Sequence, residues 1–500
     1  MVINIILAIL VLSIIIIIHE FGHFIVAKAN GITVVEFSLG FGPKLIHFKK
    51  GETEYSLKLL PFGGACIMLG EDFLEADDDE QEDATEGNNN FGNNTGKAGS
   101  ELDNDFCNGK TAEDNGFGDA SSYSYDNNIS AGSYMSEKKK QEALEAGYDM
   151  SKSFANKSVW ARIAVIAAGP IFNFILAFVC SVVIIGSIGY DPCIVDVVYD
   201  NSPAVSAGLQ EGDKIIKVNN QKITFYRDYS FYRVYHADDT MNITYERDGQ
   251  KYTTTLTPEY VKQQKYQMGV TLEQNGTIAG VSDGTPAQKA GIKKGDIITA
   301  VNGVAVDGST KIIELVGQCN GESVDITINR DGNTMQLNVT PDSVENEYYY
   351  TGFASYGARQ KVSPISVIGY AFKEVGYSVN TVVKSLGMMF TGQVGINDLS
   401  GPVGTVSAMS NIVEESKADG TFYVILNLLN LAGLISANLG VMNLLPIPAL
   451  DGGRLVFLIL EVLRGKPVKK EHEGMVHFVG MIFLFVLMIY VMFKDIRGLF

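Results

Sequence analysis

Four stretches of this 500-residue chain carry almost no charge, and each is long enough to cross a lipid bilayer. Residues 1–27 hold a single Asp, Glu, Lys or Arg, which is Glu20, and residues 163–190, 421–450 and 474–493 hold none. About 20 apolar residues carry a helix across the hydrocarbon layer, where helices and closed barrels alone satisfy their own backbone. The expectation is an α-helical polytopic membrane protein with four transmembrane helices, its lipid-facing surface covered by the bilayer. The first stretch is not read as a cleaved signal peptide, although Ala27-Lys28-Ala29 imitates a cleavage site. No basic segment precedes it, and its apolar run contains His19, Glu20 and His23.

The formal net charge of −18 describes one segment rather than the whole chain. Residues 71–150 hold 21 Asp/Glu against 5 Lys, and the remainder holds 36 acidic against 34 basic residues. This acidic, Asn/Gly/Ser-rich segment has too few branched apolar residues to offset the entropy of ordering it. It is expected to be a largely disordered loop with a short helix at 137–146. No basic patch interleaved with aromatics is present, so no nucleic-acid partner is expected. Cys66, Cys107, Cys180, Cys193 and Cys319 are scattered, odd in number and without a CxxC pair, which argues against a disulfide framework or a cysteine metal site.

Between the second and third apolar stretches the sequence repeats itself. Residues 201–220 (NSPAVSAGLQEGDKIIKVNN) match 284–303 (GTPAQKAGIKKGDIITAVNG) at nine of twenty positions, an offset of 83 residues. The same offset aligns 243–258 with 326–341, each with an Asp-Gly pair (Asp248-Gly249, Asp331-Gly332) between alternating runs, a hairpin signal. The pattern SPAxxAGLxxGDxIxxVN resembles the PDZ family, which binds extended peptide ends by strand addition. Two such α+β domains in tandem are expected, as peptide binders or as rigid, size-excluding spacers.

His19-Glu20-Phe21-Gly22-His23 is an HExxH motif inside the first apolar run. Residues four apart share a helix face, so both imidazoles can reach one zinc ion while Glu20 serves as acid/base for the attacking water. A charged side chain at such depth costs at least about 2.5 kcal/mol and marks function. A catalytic zinc site has three protein ligands and one open position. For the third, His47 and His236 lie in strand-like or soluble segments, and His472 and His477 flank the start of the fourth span. Asp451 suits better. It follows Asn443-Leu444-Leu445-Pro446-Ile447-Pro448-Ala449-Leu450 and precedes Gly452-Gly453, a break tolerated at membrane depth only when it is buried in protein or lines a cavity. His477 is next in line.

HEFGH in the first span, Gly169-Pro170-Ile171-Phe172-Asn173-Phe174 in the second, the PDZ-like insert, Gly401-Pro402-Val403-Gly404 and NLLPIPALDGG together resemble the site-2 protease family of intramembrane zinc metalloproteases, nearest its bacterial regulator-of-sigma-factor branch. The likeness runs in order along nearly the whole chain, residues 71–150 excepted. It implies Zn2+ held by His19, His23 and Asp451, Glu20 as catalytic acid/base, and Asn443 as a substrate-binding residue. It implies that 31–70 forms a membrane-associated β-sheet that clamps the substrate as an added strand. It also implies membrane-anchored substrates, such as pre-trimmed anti-sigma factors or remnant signal peptides.

The expected organisation is a first transmembrane helix (1–29), a membrane-associated β region (30–70), the acidic loop (71–150), a second transmembrane helix (160–190), two PDZ domains (192–260 and 275–342), an amphipathic helical segment (362–400), a third transmembrane helix with the NxxPxPxLDGG motif (421–463) and a fourth (474–495). Arg464, Lys466, Lys469 and Lys470, with Lys152, Lys157 and Arg162, place the turn after the third span and the approach to the second in the cytoplasm. The PDZ pair is then outside the inner or plasma membrane, and the acidic loop inside. The competing reading is a non-catalytic PDZ membrane scaffold, which leaves a buried Glu20 without a use. An intramembrane metal transporter fits less well, because the spans contain no internal repeat.

Overall fold

The computed structural model describes residues 2–71, 144–145, 147–393, 395 and 399–497. Nearly all of the acidic loop, including most of the helix expected at 137–146, lies outside the described residues. The chain divides into two units, Met1–Ser187 with Pro364–Phe500, and Ile188–Ser363.

In the first unit, four helices among the described residues are long and apolar enough to cross a membrane: α1 (Val2–Ala29), α2 (Val159–Ile188), α5 (Thr421–Leu444) and α7 (Lys470–Arg497). Between α2 and α5 in chain order come α3 (Pro364–Phe390) and α4 (Pro402–Ser416). The span expected over 421–463 is two helices rather than one. Pro446 and Pro448 lack the N–H that a helix needs, so α5 stops at Leu444 and α6 begins at Asp451 and ends at Arg464. The amphipathic segment is α3. Its buried residues Val367, Ala371, Ser378 and Val382 form one helix face, and Phe372 meets Phe178 of α2 at a ring separation of 4.5 Å. It therefore packs beside the spans. The Gly401–Gly404 motif opens α4, where Asp495 Oδ2 on α7 accepts from the Gly401 and Gly404 N–H groups at 2.9 and 2.8 Å, a carboxylate at the positive end of a helix.

Strands β1 (Val34–Lys50) and β2 (Thr53–Met68) form the β region. β1 is flanked on both sides by β2, with Ser38 opposite Ala65 on one side and Ser56 on the other. The stretch 64–68 is therefore an outer strand, and among the described residues no second strand pairs with its free edge. Ala27, Val34, Met68, Phe154, Val165, Ile166 and Leu458 form the core that joins α1, β1, β2, α2 and α6. The buried pair of Arg162 on α2 and Glu461 on α6 ties these two helices together.

In the second unit the repeat is visible as two sheets of identical strand order. One runs 221–222, 214–218, 241–247, 250–256, and the other runs 304–305, 297–301, 324–330, 333–339. Both Asp-Gly pairs turn their hairpins with positive φ at both positions (52° and 77°; 52° and 84°), the geometry that suits the twist of a two-residue hairpin. Each sheet closes its own core, around Ile215, Val218 and Ile243 in the first and Ile298, Val301 and Ile326 in the second. Each also contains the same buried clamp at the 83-residue offset. Arg247 donates to Asp213 and the Gly208 carbonyl, and Arg330 donates to Asp296 and the Gly291 carbonyl. A second antiparallel pair, Glu259–Gln267 with Asp342–Tyr350, follows the two sheets.

Candidate metal centre

Three side chains from two helices converge. His19 and His23, one turn apart on α1, stand edge to face with ring centroids 4.9 Å apart, and their Nε2 atoms are separated by 3.3 Å. Asp451, the first residue of α6, directs Oδ2 to within 3.2 Å of His19 Nε2 and 3.4 Å of His23 Nε2. The carboxylate also sits at the electropositive end of its helix. Among the described residues this is the cluster able to hold a metal ion. Donor atoms about 2.0–2.1 Å from a tetrahedral zinc ion lie roughly 3.3–3.4 Å from one another. The three separations match that spacing, and two nitrogens with one oxygen are a donor set that zinc accepts. His47 and His236 are elsewhere, paired with Glu54 and Asp239.

The imidazoles are seated by α2. His23 Nδ1 donates to the Val165 carbonyl at 2.9 Å, which leaves Nε2 as the nitrogen with a lone pair. His19 Nδ1 lies 3.1 Å from the side-chain amide of Asn173. Gly169 lies between these two contacts on the same helix face. A Cβ there would come 2.3 Å from His23 Nε2 and 2.8 Å from His19 Cε1, so only glycine admits both rings. Gly169 and Asn173 belong to a motif visible in the sequence, but nothing local indicates that they face residues about 150 positions earlier.

His477 is not part of the cluster. Its Nδ1 accepts the Ala449 N–H at 2.9 Å, so it anchors the turn that delivers Asp451 rather than offering a third ligand. Ala449 has a left-handed backbone (φ 73°), which a non-glycine residue adopts only when its surroundings impose it.

A cleft of about 570 Å³ opens over the cluster, lined by His19, Glu20, His23, Asp451 and the outer strand 64–68, among others. Gly64 lets that strand pass close to Glu20, since a Cβ there would approach Glu20 Cγ to 2.9 Å. Burial pushes the Cys66 thiol up, which keeps it protonated beside the cleft rather than a competing thiolate. Arg454 of α6 pairs with Glu71 at the end of the β region, and both border the cleft. Asn443, near the end of α5, is half-buried and is not among the residues lining this cleft.

The profile described as Peptidase family M50 matches residues 7–487. A zinc metalloprotease RasP of Bacillus licheniformis is 30% identical over 509 residues, covering 98% of this chain and 98% of that protein. The regulator of sigma-W protease RasP of Bacillus subtilis is 30% identical over 510 residues, covering 96% and 95%. Among solved structures, an HtrA3 PDZ domain bound to a phage-derived ligand covers 17% of this chain and 93% of its own, at 21% identity and a TM-score of 0.16. At that score the likeness carries no argument, and the reading of the repeats rests on their sequence and topology.

Proposed function

The chain belongs to peptidase family M50 and is a multi-pass membrane zinc metalloprotease of the site-2 type, and from that premise we propose that His19, His23 and Asp451 hold the zinc ion while Glu20 is the general acid/base that cuts peptide bonds within membrane-spanning segments. The observation that carries this reading is the triangle of donor atoms at 3.2–3.4 Å, with Glu20 in the same cleft. Zinc held there supplies Lewis-acid polarisation of the scissile carbonyl and a water acidic enough to react near neutral pH. Glu20 takes the proton of the attacking water and returns it to the leaving amine nitrogen, a contribution of about 10²–10⁴ in rate.

A peptide bond inside a transmembrane helix is enclosed by its own hydrogen bonds and side chains. The free edge of 64–68 offers backbone donors and acceptors that an unwound substrate can join as an added strand, and this edge lines the cleft. Asn443 enters the reading as a substrate-holding residue on its motif alone. The substrates are membrane-anchored proteins, either anti-sigma factors already trimmed outside the membrane or remnant signal peptides. The name of the Bacillus subtilis relative, a regulator of sigma-W protease, favours the first. The basic residues between α6 and α7 and before α2 support a reading with the acidic loop in the cytoplasm and the PDZ-like pair outside.

The test is Glu20→Gln beside His19→Ala, His23→Ala and Asp451→Ala, with bound zinc and cleavage of a membrane-anchored substrate measured on the same purified samples. Glu20→Gln retains zinc and loses cleavage, while the other three lose both. Normal cleavage by Glu20→Gln defeats the mechanism, and full zinc in Asp451→Ala reassigns the third ligand.

A further inference from the structure

We propose that Asn173 is a positioning residue for the zinc site: with the metal in place, its side-chain Oδ1 accepts the Nδ1–H of His19 and fixes the tautomer whose Nε2 lone pair faces His23 and Asp451. This rests on the assignment of His19 as a ligand.

Asn173 is completely buried in the middle of α2, a helix otherwise apolar around it. A polar side chain in that position needs a partner. Its amide reaches one, His19 Nδ1 at 3.1 Å through Nδ2, and Oδ1 is left buried without a hydrogen-bond partner among the described residues. The atom in contact follows the protonation of the ring. When Nδ1 is bare, the amide donates to it. When Nε2 gives its lone pair to a metal, the neutral ring carries its proton on Nδ1, and Nδ1 can only donate. The acceptor within reach is then Oδ1, brought into place by a half-turn of an amide whose two ends are nearly isosteric.

The neighbouring ligand has a fixed counterpart of this arrangement. His23 Nδ1 donates to the Val165 carbonyl at 2.9 Å. Val165 and Asn173 lie eight residues apart on one face of α2, with Gly169 between them against both rings. One helix face thus sets both imidazoles, one through a main-chain acceptor and the other through Asn173. Outer hydrogen bonds of this kind orient the ring and raise its basicity, and their loss typically weakens metal binding 10–100-fold. The packing of α2 on α5 at this point does not need the amide, because Ser436 donates to the main-chain carbonyl of Asn173 at 2.8 Å.

The experiment measures the zinc dissociation constant of the full-length, detergent-solubilised protein by competition with a chromogenic chelator, for wild type, Asn173→Leu, Asn173→Asp and His19→Ala. Leu copies the shape and removes the acceptor. Asp keeps only acceptors and forms the carboxylate–imidazole pair common behind zinc ligands. The expected result is zinc binding 10–100-fold weaker for Asn173→Leu, with Asn173→Asp at or tighter than wild type. A residue that only fills space predicts the reverse order, since a buried carboxylate disturbs packing more than Leu does. Wild-type affinity in Asn173→Leu, or Asn173→Asp weaker than Asn173→Leu, overturns the proposal. If the Leu variant does not accumulate, Asn173→Asp decides alone, and a loss greater than tenfold overturns it. Wild-type affinity in His19→Ala overturns the ligand assignment instead.

Discussion

Gly169→Ala adds one methyl group at the point where α2 meets both imidazoles. The new Cβ would stand 2.3 Å from His23 Nε2, 2.7 Å from His23 Cε1 and 2.8 Å from His19 Cε1. Ordinary contact begins at 3.4 Å, so the His23 ring must withdraw by about 1.1 Å or α2 must move away. The three donor atoms are held at 3.2–3.4 Å, and a shift of that size removes one of them from the common coordination sphere. A misplacement of about 1 Å costs on the order of 10²-fold in rate, and kcat/KM is expected to fall by that much, with weaker zinc retention. The helix itself gains from the change, since Ala exceeds Gly in helix propensity by about 1 kcal/mol. Loss of function therefore cannot be ascribed to a weakened helix. Gly186→Ala on the same helix is the control, because a Cβ there meets nothing within 4 Å. The assay is cleavage of a membrane-anchored reporter by purified protein in detergent or vesicles, with bound zinc measured in parallel. If Gly169→Ala keeps wild-type zinc and cleavage, α2 does not seat the imidazoles as described.

Other parts of the chain give further tests. His477→Leu removes the acceptor for the Ala449 N–H, a hydrogen bond worth about 0.5–1.5 kcal/mol. Thermal stability and zinc retention should both fall, whereas loss of zinc at unchanged stability would make His477 a ligand after all. In the second PDZ-like repeat, the Arg330 guanidinium beside Asp296 holds its carboxyl below the usual carboxylate range. Its stabilising contribution is complete above the unfolded-state value of about 3.9 and disappears as pH falls further. Asp296→Asn should therefore destabilise this repeat at pH 7, seen as faster limited proteolysis within 275–342, and a wild-type rate at pH 7 would remove the clamp from the account. If the tandem repeats exclude bulky substrates, deleting 196–341 permits cleavage of untrimmed substrate. If they recruit trimmed chain ends, the deletion slows cleavage of trimmed substrate, and no change in either rate leaves the repeats as spacers.

Much of this architecture is legible in the sequence because its signals are local. Near-absence of charge over a sufficient length marks the four spans, HExxH places His19 and His23 on one helix face with Glu20 beside the first, and the 83-residue offset exposes the repeat. Asp451 is legible for a similar reason, since paired prolines followed by paired glycines announce a break at membrane depth. What the sequence withholds is contact across the fold. Gly169 and Asn173 read as one small and one polar residue in an apolar helix, and their meaning appears only when α1 is laid against α2. His477 reads as a possible ligand because it stands at a span end, yet its ring faces the Ala449 turn. The arginine partners of Asp213 and Asp296 are likewise invisible, although all four residues obey the same offset. Asn443 is the opposite case, a residue prominent in the motif that the structure does not bring to the cleft lining.

The candidate metal centre also bears on how the membrane unit holds together. Burying two imidazoles and a carboxylate among apolar helices is unfavourable unless each polar atom has a partner. The Nδ1 atoms find theirs on α2, and the Nε2 atoms and Asp451 Oδ2 face one another within 3.4 Å. With Nδ1 protonated on both rings, this interior presents two lone pairs and a carboxylate oxygen at close range, an arrangement that repels unless a cation stands among them. α1, α2 and α6 meet at this point, and the Arg162–Glu461 pair fastens two of them nearby. If zinc is held by these three residues, as proposed, its binding is coupled to the association of three helices, and its free energy would add to the stability of the fold in the measure that the assembled site binds it and the dispersed helices do not.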